Sequence, residues 1–277
     1  MNKTIRLFSL CCITCCAVTG QPSFNYTDPE PFGNETKYAR ESENAAIGEW
    51  WKLKLEGGLT GYDQRASKWF QSIERDQALA FALYTQDHGV LKLTAQCFPL
   101  LPDEPKVVSL EFKVEDRWIL IDEQPVQYPG WSVHFRVDAW DGSMNVPYRL
   151  SLGDLSEFEG LVRADPIEKD TIVVASLNCN SPVDKEFDTR KQTVDNLKYH
   201  DPDLLFFAGD QNYTHDEATY GWLQFGVQFA EVMKDRPTIC ILDDHDVGHP
   251  NIWGEGGKVS SGVKGASDGG YMFPASF

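Results

Sequence analysis

Three clusters of polar side chains in the second half of the sequence combine residue types that bind metal ions. Each follows a short apolar segment, and the clusters are Asn178-Cys179-Asn180, Gly209-Asp210-Gln211-Asn212-Tyr213 and Asp243-Asp244-His245-Asp246. Carboxylate and phenol oxygens, an imidazole nitrogen and a thiolate together suit transition-metal or alkaline-earth cations. The third cluster holds three carboxylates whose mutual repulsion would destabilise the fold without cations nearby. We therefore predict a metal site formed by the three clusters.

Each of these residues also has a simpler structural interpretation. Asp210 could be an ordinary turn residue after Gly209. Tyr213 could be a buried aromatic with a satisfied hydroxyl, and Cys179 could be a small core residue. Metal binding is favoured by the three clusters together, above all by the run of acidic residues around His245.

A parallel sheet is predicted to position these clusters. The apolar segments indicate strands at 171–176, 203–208 and 238–242, which we expect to be buried on both faces. Helical spacing predicts helices at 186–200, with Phe187, Val194, Leu197 and Tyr199 on the apolar side, and at 218–235. Strand–helix–strand order implies crossover connections and a parallel sheet. Ligands bind beyond the carboxyl ends of such strands, which is where the three clusters lie.

Before this segment the hydrophobic pattern has a period of two. Apolar residues alternate with polar ones in four runs, at 91–97, 108–114, 131–137 and 148–152. Alternation places one face of each strand in a core, and several short strands at this spacing predict an immunoglobulin-like β-sandwich. Cys97 lies on an inward face and is predicted to be inert. We divide the chain into a signal peptide at 1–20, a linker with a helical or irregular segment at 21–76, a β-sandwich at 77–168 and a further domain at 169–277.

The N-terminus has the pattern of an export signal. Lys3 and Arg6 precede an apolar run from Leu7 to Val18, which at about a dozen residues is too short to span a bilayer. The predicted location is therefore secreted or periplasmic, with a lipid anchor as an alternative and no transmembrane helix in the mature chain. Three cysteines remain after the signal, and this odd number excludes a complete disulfide framework. The formal net charge of −17 disfavours binding to nucleic acid.

The motifs resemble those of the PhoD-like branch of the calcineurin-like metallophosphatases. The resemblance rests on Gly-Asp-x-x-Tyr at 209–213 and Asp-Asp-His-Asp at 243–246, and covers roughly residues 77 to 277. It implies hydrolysis of phosphate esters by a hydroxide that two metal ions activate, with iron and calcium as the ions. Asp210 would bridge the metals, and Cys179 and Tyr213 would bind the iron. Asp244 falls where many relatives carry a metal-binding Asn, and His245 would lie beside the leaving group. These two residues are the predicted catalytic residues.

The same resemblance predicts that the sequence is the N-terminal part of a longer enzyme. Relatives continue through a second half that supplies further ligands, including an Asp-x-His element, whereas His249 and scattered carboxylates follow His245 here. The Gly-rich segment 254–270 is typical of an active-site loop. One alternative to a phosphatase or phosphodiesterase is an inactive secreted or cell-surface module of the same fold that binds glycan or protein. Another is a hydrolase of a different ester or anhydride that uses the same centre. The natural substrate and the oligomeric state do not follow from the sequence.

Overall fold

The computed structural model describes residues 69, 70, 72–128, 130–181, 190–213 and 218–246. The predicted signal peptide, most of the predicted linker and the Gly-rich segment 254–270 lie outside these residues. A 3₁₀ turn at Arg75–Gln77 precedes seven antiparallel strands, which form a three-stranded sheet in the order β1-β2-β5 and a four-stranded sheet in the order β4-β3-β6-β7. The strands are β1 (Leu79–Asp87), β2 (Val90–Cys97), β3 (Val107–Val114), β4 (Arg117–Pro125), β5 (Ser132–Asp138), β6 (Val146–Leu152) and β7 (Ser156–Val162).

The two antiparallel sheets contribute to one hydrophobic core. Leu91 and Leu93 of β2, Leu110 of β3 and Leu150 of β6 are all fully buried in it. The polar residues between them point the other way, so the predicted period-two alternation is confirmed in these strands. Cys97 is likewise buried in this core and is not part of a disulfide.

A three-stranded parallel sheet follows, in the order β10-β9-β8. Its strands are β8 (Val174–Leu177), β9 (Leu204–Ala208) and β10 (Thr238–Ile241), and two helices connect them, α1 (Lys191–His200) and α2 (Ala218–Met233). Both strand–helix crossovers and the parallel pairing of the strands are as predicted. No helix in the described part of the chain is long and apolar enough to cross a membrane.

The burial of this sheet differs from the prediction. Leu205 and Phe207 of β9 pack with the helices, but Val174 of β8 and Ile239 and Ile241 of β10 are 40–50% exposed. The helices cover one face of the sheet, and among the described residues nothing buries the edge strands on the other face. The expectation that these strands are buried on both faces is therefore wrong for β8 and β10. Tyr199 is also exposed, because α1 buries only Val194 and Leu197.

Helix α2 joins the parallel sheet to strand β1 of the antiparallel part. The rings of Phe81 and Trp222 pack edge to face, with centroids 5.6 Å apart. The indole nitrogen of Trp222 donates a hydrogen bond to Gln96 Oε1 at 3.1 Å. Gly226 lies so close to Phe81 that a Cβ there would fall 1.9 Å from the ring carbon Cε1. This contact fixes the helix on the sheet and leaves no room for a side chain.

Substituting Gly226→Ala is expected to lower the free energy of unfolding by about 2 kcal/mol. Overpacking of a buried contact costs about 1–3 kcal/mol, and the better helix propensity of alanine offsets up to about 1 kcal/mol of that cost. Urea unfolding of the two proteins measures the difference. Gly130→Ala is the matched control, since its Cβ would meet its nearest neighbour, Ser132 Oγ, at 3.7 Å. Equal unfolding midpoints for Gly226→Ala and the parent would contradict the tight contact.

Candidate metal centre

The ends of the three parallel strands lie next to one another. Past the end of β8, the backbone nitrogens of Cys179 and Asn180 donate to the carbonyl oxygens of Gly209 and Asp210, at 3.3 and 2.8 Å. These bonds extend the pairing between β8 and β9 beyond the regular sheet. As a result, the first two clusters predicted from the sequence form one continuous surface at the carboxyl edge of the sheet.

Asp210 is at the centre of this surface and is almost completely buried. Its Oδ2 accepts a hydrogen bond from the Tyr213 hydroxyl at 2.8 Å and from the Cys179 thiol at 3.6 Å. Its Oδ1 accepts from the backbone nitrogen of His245 at 3.3 Å. One carboxylate therefore contacts groups from all three strand ends.

Asp244 and His245 complete a second group of potential ligands around the same carboxylate. One ligand atom each from Asp210, Asp244 and His245 lie within 4.8 Å of one another. Asp244 Oδ2 is buried and has no hydrogen-bond partner within the described part of the chain. A buried carboxylate oxygen without a partner is costly, and a bound cation would satisfy it.

The chemistry of these side chains fits metal ions. In the structure, the partially positive hydrogens of the Tyr213 hydroxyl and the Cys179 thiol stabilise the negative charge on Asp210 Oδ2 through hydrogen bonds. A cation bound there would stabilise that charge instead, and coordination removes the proton of a thiol outright. Desolvation, followed by the hydrogen bonds to Cys179 and Asp210, raises the pKa of the Tyr213 hydroxyl above its usual value, so that without a metal it stays protonated.

The three described cysteines differ in their suitability as ligands. Burial raises the pKa of the Cys97 thiol to about 12. Burial, with a smaller contribution from the charge of Asp246, also raises the pKa of the Cys240 thiol to about 12. Cys179 is exposed and directed at Asp210. Cys179 is therefore the cysteine of the described residues that is placed to bind a cation at this centre.

The backbone at the strand ends is bent into left-handed conformations. Cys179, Gly209 and Asp210 have φ angles of +53°, +95° and +56°. Such conformations cost of order 1–3 kcal/mol for residues other than glycine and are concentrated at functional sites. Gly209 also allows a close approach, because a Cβ there would lie 2.4 Å from Asp243 Cβ.

Asp246 was not predicted as a site residue, although it belongs to the third cluster. Its carboxylate accepts hydrogen bonds from the backbone nitrogens of Asp210 at 2.7 Å and Gln211 at 2.8 Å, and from that of Asp243 at 3.1 Å. Burial raises the pKa of the Asp246 carboxyl above its usual value, and the backbone hydrogen bonds oppose this shift. In the sequence, Asp246 is marked only by its position directly after His245. That position does not distinguish a metal ligand from a carboxylate that accepts backbone hydrogen bonds.

Asn180, which belongs to the first cluster, holds the loop that carries Cys179. Its side-chain nitrogen donates to the Gln211 carbonyl at 3.1 Å and to Gln228 Oε1 of α2 at 2.9 Å. Its side-chain oxygen accepts from Arg190 Nε at 2.7 Å. Asn180 thereby attaches the loop of Cys179 to its neighbouring strand and to both helices.

A cavity of about 400 Å³ opens beside Asp210 and Cys179. Its walls include Asn180, Arg190 and Thr193, with the aromatic rings of β9 and α2 behind them. Arg190 brings positive charge to a region that is otherwise acidic. The cavity is large enough for a small ester next to the carboxylates.

Comparison with known structures identifies the fold. A structure of PhoD matches 70% of this chain and 43% of that chain, at 14% sequence identity and a TM-score of 0.53. A purple acid phosphatase from yellow lupin (Lupinus luteus) seeds matches 69% of this chain and 38% of that chain, at 15% identity and a TM-score of 0.46. No family model matches the chain, and no curated protein matches it.

The chain spans less than half the length of either solved structure. At this level of identity, the likeness to PhoD shows the fold alone, and it confirms at that level the resemblance predicted from the strand-end motifs. The structure brings all five predicted site residues together at the carboxyl edge of the parallel sheet: Cys179, Asp210, Tyr213, Asp244 and His245. The role of each stays a prediction.

Proposed function

We propose that the chain carries the N-terminal part of a two-metal phosphoesterase centre, which hydrolyses phosphate monoesters or diesters. The observation that carries this proposal is that Asp210 belongs to two groups of potential ligands at once. Cys179 and Tyr213 contact its Oδ2, while Asp244 and His245 offer ligand atoms within 4.8 Å. A carboxylate shared in this way is what a pair of neighbouring cations requires.

The proposed ligand assignments follow from these contacts. Asp210 would be shared by the two cations, Cys179 and Tyr213 would hold the one that the motif resemblance suggests is iron, and Asp244 would hold the one that it suggests is calcium. When bound, such ions neutralise the phosphate charge and lower the pKa of a coordinated water. This positive charge also offsets the acidic field of a chain with a net charge of −17, which would otherwise repel an anionic substrate.

His245 is proposed to donate a proton to the leaving oxygen of the ester. Its backbone nitrogen is held by Asp210 Oδ1, and its ring packs on the Tyr213 ring with centroids 4.1 Å apart. These two contacts hold the imidazole at the edge of the ligand group. General-acid catalysis from such a position contributes about 10²–10⁴-fold to a rate.

The domain organisation and the location of the protein are part of the same proposal. The shared core of the two antiparallel sheets supports an immunoglobulin-like sandwich at 77–168 in front of the catalytic domain at 169–277. The charge and apolar pattern of residues 1–20 supports export, where the enzyme would release phosphate from esters outside the cytoplasm.

Hydrolysis of two phosphodiesters by the full-length protein that contains this chain, loaded with iron and calcium, tests this proposal. We expect turnover by the parent protein, and for His245→Ala a fall in kcat of about 10²-fold on a diphenyl phosphodiester. The fall should be smaller on the bis-p-nitrophenyl diester, because its better leaving group needs the proton less. Metal content of the variant should equal that of the parent.

Each departure from this pattern has a distinct meaning. An equal loss on both esters together with lower metal content would make His245 a metal ligand instead of an acid. A parent protein that binds the metals tightly but hydrolyses neither ester would contradict the proposed activity and favour the inactive binding module.

A further inference from the structure

The Asp246 carboxylate connects the ends of strands β9 and β10. Its Oδ2 accepts the backbone N–H of Asp210 at 2.7 Å and that of Asp243 at 3.1 Å. Its Oδ1 accepts the backbone N–H of Gln211 at 2.8 Å and, more weakly, that of Asn212 at 3.4 Å. The connected segments lie more than 30 residues apart in sequence, so one side chain closes a long loop at the edge of the sheet.

These contacts use the carboxylate in a way that differs from that of its neighbours. An ionised carboxylate has about four acceptor positions, and four backbone amides point at Asp246. Asp244, by contrast, has a buried oxygen without a partner in the described residues. The two carboxylates of the acidic cluster therefore differ: Asp244 has a buried oxygen that a cation could satisfy, whereas Asp246 binds backbone N–H groups.

We propose that Asp246 is a positioning residue, which sets the spacing between Asp210 and the Asp243–Asp244 segment and thereby the affinity of the centre for metal. The inference rests on the proposed metal centre. The amide nitrogen of Asp210 is held at 2.7 Å and that of Asp243 at 3.1 Å by the same oxygen, so neither segment moves independently of the other. Groups that orient ligands from behind typically change metal affinity by about 10- to 100-fold when they are substituted.

Titration of the metal-free chain with Co²⁺ tests the role of Asp246. The substitution Asp246→Asn replaces one acceptor oxygen by an N–H donor, which then faces backbone N–H groups. We expect Co²⁺ to bind about 10- to 100-fold more weakly than to the parent and the visible absorption of the bound ion to change, since its ligands are displaced. The visible spectrum is the measurement that a loss of stability alone would not alter.

Asp203→Asn is the matched control. Asp203 Oδ2 accepts the backbone N–H of Val173 at 2.9 Å, so this carboxylate also holds backbone across the same sheet, but at its opposite end. We expect Asp203→Asn to lower the stability of the chain and to leave both the Co²⁺ affinity and the spectrum within about twofold of the parent, as for a site without coupling to the metal.

The outcomes separate this inference from the proposed function. Parent-like Co²⁺ affinity and spectrum in a folded Asp246→Asn protein would overturn the positioning role and leave the metal centre intact. A parent chain that binds no Co²⁺ would overturn the metal centre, and the positioning role with it. If Asp246→Asn does not fold, amide hydrogen exchange in the parent decides: protected amides at Asp210 and Gln211 support the role, and exchange as fast as in an open loop refutes it.

Discussion

Replacing Asp210 by alanine is expected to lower kcat/KM for phosphodiester hydrolysis by ~10³-fold or more, equivalent to about 4 kcal/mol of transition-state stabilisation. The effect is large because Asp210 contacts Cys179, Tyr213 and the backbone of His245 at once. Without this carboxylate, the two proposed groups of ligands no longer share a residue. Metal content measured on the purified variant should fall together with activity.

The free energy of unfolding of the metal-free Asp210→Asn protein tests whether Asp210 serves function or stability. In the absence of cations, the carboxylates of Asp210 and Asp244 lie close together and repel one another. Removing one charge while keeping the shape of the side chain is therefore expected to maintain or raise the free energy of unfolding, measured in urea. A residue retained for stability alone would show the opposite sign.

Asp195→Ala is the control for both measurements. Asp195 lies on α1 and pairs at the surface with Lys191, one helical turn away. Exposed pairs of this kind contribute little, typically below about 1 kcal/mol. We expect parent-like activity and metal content for Asp195→Ala. Parent-like activity for Asp210→Ala would contradict the assignment of the whole centre.

The strands of the antiparallel sheets could be predicted wherever one face of the strand is buried and the other is exposed to solvent. Strands β2, β3, β5 and β6 show this alternation and were found from it. Strand β1 was not found, because it is buried on both sides: Tyr84 packs in the core of the antiparallel sheets, while Phe81 packs against α2. Strand β4 was missed for the opposite reason, since Ile119 and Leu120 are exposed at the edge of their sheet.

For the proposed metal centre, the sequence predicted which residues lie together but not the contacts that hold them in place. The carboxyl ends of consecutive parallel strands must lie at one edge, so residue types at those ends sufficed to bring Asp210, Asp244 and Cys179 together. The supporting contacts depend on side-chain directions across many residues. The bond between Asn180 and Gln228 spans 48 positions and has no periodic signal. Asp246 is an aspartate like the proposed ligands Asp210 and Asp244. Its hydrogen bonds to backbone N–H groups become visible only in the structure.

Substituting Gly209→Ala is expected to lower the free energy of unfolding by about 3 kcal/mol and to weaken metal binding. A left-handed backbone costs about 1–2 kcal/mol for a residue with a Cβ. The φ angle of Gly209 is +95°, and the added Cβ would lie 2.4 Å from Asp243 Cβ, an overpacked contact that adds about 1–3 kcal/mol. Relief of this contact requires the ends of β9 and β10 to separate, which moves Asp210 away from Asp244. Urea unfolding and Co²⁺ titration measure the two effects.

Gly89→Ala separates the two causes. Gly89 also has a positive φ, at +73°, but its Cβ would meet its nearest neighbour at 3.8 Å. This substitution therefore carries the backbone cost of about 1–2 kcal/mol without the clash, and it lies in the turn between β1 and β2. We expect Gly89→Ala to be less destabilising and to bind Co²⁺ as the parent does. Equal losses of stability in the two variants would show that backbone strain alone explains the effect of Gly209→Ala. Unchanged Co²⁺ affinity in Gly209→Ala would show that the close packing of these strand ends does not set the geometry of the proposed metal ligands.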